Sequence, residues 1–368
     1  MIKVLHVVSS LDGGGVESML YNYYSHIDRS GVRFDFIVHG NNIGMLEEKF
    51  HCLGSKVFHV TPKRNSFRKN MLEINKILRN EKYDIVHCHQ NFSNFSTLFL
   101  ARMNQVPVCI SHAHGCKEIK SIKEKTKNYT LRLLNKSCAN YFFSCGIEAG
   151  KWLHGQNWSP SEKNILMNNA IDVNKFSYDL GVRKNYRKKF NIEDKIVLLH
   201  VGRFSDEKNH LFMVDIIEQL SKQNEKCILL FAGNGATEGA VKKCVHEKGL
   251  TDKIMFLGVR SDIAELVNAA DIFLLPSKNE GFPVTLIEAQ STGINIFASN
   301  KVTKETAITN LIEYLPIENV DIWVEKIIES KIVLRKSRKA DVEKEGYSIN
   351  IQADKYKKWL EKCLISRK

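Results

Sequence analysis

The stretch Ser277-Lys278-Asn279-Glu280-Gly281-Phe282-Pro283-Val284-Thr285-Leu286-Ile287-Glu288-Ala289 carries the residue types for gripping a phosphate next to a polyol. The apolar run Asp271–Pro276 leads into it as a buried strand. Gly281 and Pro283 break that strand, Pro283 suits the first turn of a helix over Val284–Ser291, and Gly293 stops it. A helix N-terminus offers free N–H groups and a positive dipole end to an anion. Glu280 in the turn and Glu288 in the helix are acceptors for hydroxyl groups on either side.

A second set complements the first. Gly202-Arg203-Phe204-Ser205-Asp206-Glu207-Lys208-Asn209 follows an apolar strand, Lys195–Val201. An Arg fork with a Lys point charge makes a diphosphate clamp. Arg203 directly follows a buried strand, where an idle charge is costly, and that weighs against a merely solvated loop. Asp12-Gly13-Gly14-Gly15 closes the first strand and lets backbone N–H groups approach a phosphate, although glycines at such a position often only make a turn. Histidines crowd two further strand ends: His87, His89, His112 and His114. No Cys or carboxylate nearby completes a zinc set with them, so no metal site is expected. A single histidine facing a substrate is the functional reading, and a core histidine is the safer one for each taken alone.

The elements that must position these groups alternate between strand-like and helical patterns. Ile2–Ser9, Arg33–His39, Lys56–Val60, Tyr83–His89, Val106–His112, Tyr141–Cys145 and Asn164–Asn168 read as strands. The pattern restarts with Lys195–Val201, Lys226–Gly233, Lys253–Leu257, Asp271–Leu275 and Ile294–Ser299. Helices fall at Val16–His26, Met71–Asn80 and His210–Gln223, and Asp341–Lys368 reads as one charged amphipathic helix with Tyr347, Ile351, Tyr356, Trp359 and Leu360 as its apolar face. Such alternation makes βαβ units and parallel sheets. Two Rossmann-like domains are expected, facing a cleft at the carboxyl ends of their strands. Residues 1–170 form the first, 171–194 a polar linker and 195–344 the second.

A chain of 368 residues has room for two such cores. The net charge of +13 points to an anionic partner: nucleic acid, a membrane surface or phosphorylated ligands. Basic residues gather in Thr61–Lys69 and in Lys117–Lys136, where Ile119, Ile122, Leu131, Leu133 and Leu134 alternate with seven cations. That second segment suits an anionic bilayer or a solvated helix face. Aromatic interleaving is missing, which disfavours nucleic acid. The cysteines, nine and odd in number with no C-x-x-C, fit a reduced cytosolic compartment. No stretch reads as a signal h-region or a bilayer span. D-x-D, P-loop and G-x-S-x-G motifs do not occur.

Glu280-x7-Glu288, the Gly202-Arg203…Lys208 loop, Gly14-Gly15-Val16-Glu17 and Asn169-Ala170-Ile171-Asp172 together resemble the retaining glycosyltransferases of family 4, of GT-B fold. Ser299-Asn300-Lys301-Val302-Thr303-Lys304-Glu305 is similar to their capsule and exopolysaccharide branch. The resemblance spans nearly the whole chain. It implies that the last residues, about 345–368, cross back to complete the first domain. It also implies that Arg203 and Lys208 hold the donor diphosphate, Glu288 the ribose, and Glu280 with the N–H groups of Gly281 and Phe282 the transferred sugar. By the same resemblance, Gly14 and Gly15 would let the first domain close over phosphate and acceptor, Gly202 and Pro283 would belong to the donor-binding residues, and Val259 and Arg260 would sit where the base packs. His114, beside Gly115, is favoured over His112 for contact with the donor sugar. Two departures, Ala170 for the usual Gly and Gln290-Ser291-Thr292-Gly293 for a more apolar stretch, leave the proposed catalysis untouched.

Metal-independent transfer of a hexose or N-acetylhexosamine is therefore expected, from a nucleotide sugar of the UDP type and without a cofactor. The acceptor implied is a lipid-linked saccharide, reached at the cytoplasmic face of the cell membrane through the basic first domain. A GT-B-type sugar-nucleotide epimerase is the alternative.

Overall fold

The computed structural model describes residues 1–116, 121–330 and 335–365. The chain divides into two compact units, Met1–Ala170 with Ser348–Lys368, and Ile171–Tyr347.

The first unit is built on a seven-stranded parallel sheet: β1 (Ile2–Val7), β2 (Val32–His39), β3 (Val57–Val60), β4 (Ile85–Cys88), β5 (Val108–Ala113), β6 (Tyr141–Ser144) and β7 (Asn164–Leu166). Their order is β3-β2-β1-β4-β5-β6-β7. Both faces are covered, which is why the strands read as unbroken apolar runs. Val4, Phe34, Phe36, Ile85 and Ile110 pack on one face, and Leu5, Val7, Ile37, Val86 and Cys109 on the other. The C-terminal helix, Ile349–Ile365, buries Ile349, Ala353, Tyr356, Leu360 and Cys363 in the first of these layers.

That helix corrects one expectation. Instead of a single helix from Asp341, there are two, Lys339–Lys344 and Ile349–Ile365, separated at Gly346 with φ 83°. A left-handed glycine ends the first, so Tyr347 precedes the second helix and Ile351 falls on its exposed side.

The second unit holds a six-stranded parallel sheet: β8 (Ile196–Val201), β9 (Cys227–Ala232), β10 (Ile254–Phe256), β11 (Ile272–Leu275), β12 (Asn295–Ser299) and β13 (Ile312–Leu315). The order is β10-β9-β8-β11-β12-β13. Strand β13 escaped the sequence reading because it is a short edge strand whose side chains are mostly half-buried or exposed. The polar segment 171–194, expected as a linker, carries a helix at Leu180–Lys189. Asp179 caps it by accepting from the Val182 N–H at 2.8 Å. Its Arg183 and Arg187 both pair with the buried Asp271 carboxylate, the latter at 3.1 Å, and Asp271 also accepts from the Val197 N–H. Two arginines and the Tyr186 ring, and not a continuous apolar stripe, dock this helix, so hydrophobic periodicity did not reveal it.

In each sheet the strand order reverses at one place, between β1 and β4 and between β8 and β11. Ligands of open α/β sheets bind outside the carboxyl ends of the strands at that reversal. The glycine turn after β1 and the histidine after β4 lie at the first reversal. The Gly202–Asn209 loop after β8 and the Glu280 turn after β11 lie at the second.

Candidate active site

In the second unit the two loops at the reversal are tied to each other. The Lys208 ammonium donates to Glu280 Oε1 at 2.5 Å, and Ser277 Oγ donates to the same oxygen at 2.7 Å. The Lys278 N–H donates to the Glu207 carbonyl at 2.7 Å. Lys208 and Glu280 are both largely buried, at 19% and 13% side-chain exposure, so solvent screens the pair little.

Arg203 corrects the sequence argument. It is exposed, its charge stands in water, and it has no hydrogen bond or ion pair among the described residues. The cost of a buried charge therefore says nothing about it; what remains is a guanidinium with its donors available beside the Lys208–Glu280 pair's loop.

The loop itself rests on two glycines of the turn after β9, Gly233 and Gly235. Gly202 donates to the Ala232 carbonyl at 3.0 Å and Phe204 to that of Asn234 at 2.8 Å. A Cβ on Gly233 would lie 2.0 Å from the Gly202 carbonyl oxygen, and one on Gly235 2.3 Å from that of Phe204. Both have positive φ, so only glycine allows the two loops to meet. Asn234-Gly235 reads as a turn from its residue types alone, whereas the backbone pressed against it is set by the pairing of β8 with β9.

After Glu280 the chain turns into a helix at Val284–Thr292, closed by Gly293 in the left-handed region with φ 76°. Pro283 is the residue before the helix, with extended ψ of 102°, and not a member of its first turn. The Gly281 and Phe282 N–H groups make no hydrogen bond among the described residues, and the buried Thr285 hydroxyl in the first turn also has no partner there. The Phe282 ring stacks on Tyr347 with centroids 6.0 Å apart. Glu288 is half-buried on the same helix, and burial pushes its carboxyl up to about 7, with Lys175 acting in the opposite direction. Val259 presents 53% of its surface to solvent, whereas Arg260 is held by Asp262, Nε to Oδ1 at 2.8 Å.

In the first unit, Gly14 precedes the helix Gly15–His26 as its cap, and Gly13 is the residue of that turn with positive φ. A Cβ on Gly15 would meet nothing within 4 Å, so the protein's own packing does not require glycine there.

The histidines converge. His6 of β1 lies opposite His87 of β4, and His6 Nδ1 meets His89 Nε2 at 3.0 Å. His89 Nδ1 meets His114 Nε2 at 2.7 Å. His87 Nε2 meets His112 Nδ1 at 3.0 Å, and His87 Nδ1 meets the Tyr356 hydroxyl at 3.0 Å. Burial drives all five imidazoles well below their ordinary pKa, His6 and His114 to about 3, so the rings are neutral. His112 is fully buried; His114 alone of the five is half-exposed. His6 went unnoticed in sequence and Tyr356 was read only as part of an apolar helix face, because only strand pairing and the docking of the C-terminal helix bring them to the group.

Comparison with known proteins agrees with this architecture. The family model described as Glycosyltransferase Family 4 matches residues 13–175, and that described as Glycosyl transferases group 1 matches residues 182–330. A Bacillus subtilis (strain 168) protein named as a glycosyltransferase, EpsF, is 30% identical over 345 residues, covering 91% of this chain and 89% of that protein. The capsular polysaccharide biosynthesis glycosyltransferase CapH of Staphylococcus aureus is 26% identical, covering 82% of each chain. An Escherichia coli UDP-Gal:alpha-D-GlcNAc-diphosphoundecaprenol alpha-1,3-galactosyltransferase is 26% identical, covering 69% of this chain and 67% of that one. The crystal structure of Anabaena HepE in complex with UDP and glucose superposes with a TM-score of 0.77 at 16% identity, over 98% of this chain and 100% of that one. The three sequence relatives are named as glycosyltransferases, which sets the epimerase alternative aside. The chain belongs to glycosyltransferase family 4, and is a glycosyltransferase of GT-B fold, from a family that retains anomeric configuration and works without a metal.

Proposed function

We propose that this enzyme transfers a hexose or N-acetylhexosamine from a UDP-sugar to a lipid-linked oligosaccharide in capsule or exopolysaccharide synthesis. The observation that carries the reading is the Lys208–Glu280 pair at the strand reversal of the second unit. Lys208 and the accessible Arg203 meet the donor diphosphate and stabilise charge on the departing UDP. The N–H groups of Gly281 and Phe282 add donors, and Glu280 orients a sugar hydroxyl. Glu288 takes the ribose hydroxyls, the exposed Val259 the base, and the half-exposed His114 the donor sugar. In the displacement the anomeric carbon loses its bond to the phosphate oxygen and gains one to the acceptor oxygen on the same face. The acceptor's proton passes to the departing phosphate.

The UDP donor is supported by the ligands of HepE and the donor of the E. coli relative, and the lipid-linked acceptor by that relative's undecaprenol substrate. A cavity of about 490 Å³ in the first unit, lined by Ser9, Asp12, Asn41, Asn42, Thr61 and Arg64 among others, has the hydroxyl, amide and cationic groups a diphosphate-linked saccharide needs. Within Ile122–Cys138, Ile122, Tyr129 and Leu133 are exposed beside Lys123, Lys125 and Lys127, a surface suited to an anionic bilayer at the inner face of the cell membrane. Lys117, Ile119 and Lys120, the start of the basic segment, lie outside the described residues. No helix among the described residues is long and apolar enough to cross a membrane.

The test is product analysis. Enzyme, a panel of UDP-sugars and an undecaprenyl-diphosphate saccharide should give UDP and an extended lipid. Release of an altered UDP-sugar without acceptor, or no reaction with any UDP-sugar, contradicts the proposal.

A further inference from the structure

The imidazole group in the first unit is more than one substrate contact requires. Five rings from β1, β4, β5 and the turns after them occupy one face of the sheet, beside Phe34, Phe36 and Tyr356. Their mutual hydrogen bonds use most ring nitrogens, yet the buried Nε2 atoms of His6 and His112 have no partner among the described residues. A polar network left incomplete in a low-dielectric interior is costly, so the empty positions call for an explanation.

Two triads have one ring nitrogen from each member within 4.8 Å of the others: His6, His87 and His89, and His89, His112 and His114. The first is enclosed on all sides by buried groups. The second includes the half-exposed His114, which gives an ion an entry path and leaves a fourth position for water.

We propose that His89, His112 and His114 bind one Zn²⁺ ion, and that the bound ion holds the transferase inactive by withdrawing His114 from the donor sugar. His89 Nδ1 and His114 Nε2 already face each other at 2.7 Å. With His112 Nδ1 engaged by His87, the nitrogen left to His112 is Nε2, which has no partner among the described residues. Tetrahedral ligands at zinc–nitrogen distances of about 2.0–2.1 Å sit roughly 3.3 Å apart, so the His89–His114 pair opens slightly and the His112 nitrogen, within 4.8 Å of both, adjusts by a small ring rotation. The outer groups are those that orient ligating imidazoles elsewhere: His6 holds the far nitrogen of His89, and the Tyr356–His87 pair holds that of His112. The sequence offers two His-x-His strand ends without a Cys or carboxylate beside them; the pairing of β4 with β5 brings the two ends together, so that three imidazoles converge without either. The ion is no part of the transfer chemistry. Its inhibitory effect rests on the proposed role of His114, whereas its binding does not.

The experiment uses the untagged full chain, stripped of metal with a chelator. Zn²⁺ is titrated against a chromophoric competitor, and Co²⁺ is used as the spectroscopic probe. One tetrahedral ion per chain is expected, with micromolar or tighter affinity and no thiolate charge-transfer band. His89→Gln and His114→Ala should each weaken binding at least tenfold, and His6→Phe by about tenfold through loss of the outer hydrogen bond. His114 is half-exposed, so its variant keeps the test sharp even if His89→Gln fails to fold. Failure of the folded wild type to bind, a thiolate band, or unchanged binding in His114→Ala overturns the site. Zn²⁺ should abolish sugar transfer reversibly. Binding without inhibition would retain the ion and overturn the role given to His114.

Discussion

Lys208 Nζ lies 2.5 Å from Glu280 Oε1, so the cation assigned to the donor diphosphate and the carboxylate assigned to its sugar form one charge pair. Removing either leaves the other largely buried without its counter-charge. Lys208→Ala and Glu280→Ala should each lower kcat/KM by about 10²–10³. The double variant should fall short of the product of the two losses, with a coupling of about 1–3 kcal/mol. Steady-state transfer kinetics measure this, and additive losses would mean that the pair does not act as a unit.

Glu288 sets a pH dependence. Its folded pKa, about 7, lies above the ordinary 4.5, so the folded state holds the proton more tightly than the unfolded one. Stability contributed by the protonated form is present below pH 4.5 and is lost as pH rises through 7, by at most about 3 kcal/mol. Glu288→Gln should thus raise Tm at pH 8 and leave it unchanged at pH 4. Donor binding has the opposite requirement, since the carboxylate accepts the ribose hydroxyls. UDP affinity should rise with pH through 7 in wild type, and be weaker and flat in the variant. A Tm difference independent of pH would remove the basis of both expectations.

Two glycines that look alike in sequence should behave differently. Gly235→Ala drives a methyl to 2.3 Å from the Phe204 carbonyl oxygen and should cost about 1–3 kcal/mol while displacing the Arg203 loop. Gly15→Ala meets no protein atom and should leave urea unfolding within about 0.5 kcal/mol of wild type. If Gly15 serves a ligand's approach, that variant loses kcat/KM at full stability; unchanged kinetics would show its glycine to be only a turn residue.

Asp271 is a structural counterpart to these. Its carboxylate is 3% exposed and balances Arg183 and Arg187. Asp271→Ala should cost about 3–5 kcal/mol by leaving two guanidiniums without it. Denaturant unfolding measures that loss, and a shift below about 1 kcal/mol would show the helix Leu180–Lys189 to be docked by other means.

The exposed lysines of Ile122–Cys138 give a membrane prediction. Lys123, Lys125 and Lys127 each add about 1 kcal/mol of attraction to an anionic bilayer. Changing all three to Glu should weaken sedimentation with phosphatidylglycerol vesicles by at least 100-fold, and wild-type binding should fall with salt. Salt-independent binding, equal in both proteins, would place the contact elsewhere.

The fold was readable because both sheets are covered on both faces, so β1, β4, β8 and β11 announce themselves as apolar runs ended by polar or glycine-containing loops. What escaped was whatever lacks apolar periodicity or depends on strand pairing. The helix at Leu180–Lys189 is held by Arg183 and Arg187, and β13 is a short edge strand. The Glu280 turn and the Arg203 loop stood out in sequence by residue type and spacing, as candidates for donor contact. The bond joining Lys208 to Glu280 spans 72 residues and is set by the neighbouring positions of β8 and β11. His6 lies in an ordinary core strand, and only its register with His87 shows it to be part of a cluster.

The central claim is that the second unit grips a UDP-sugar for transfer through Arg203 and Glu288. The most direct measurement is the rate of sugar transfer from the preferred UDP-sugar by wild type, Arg203→Ala and Glu288→Ala, each shown folded by its melting curve. The account predicts losses of at least about 100-fold in kcat/KM for Arg203→Ala, with Glu288→Ala weakening donor binding by about 10–100-fold. Wild-type rates in both variants would contradict it.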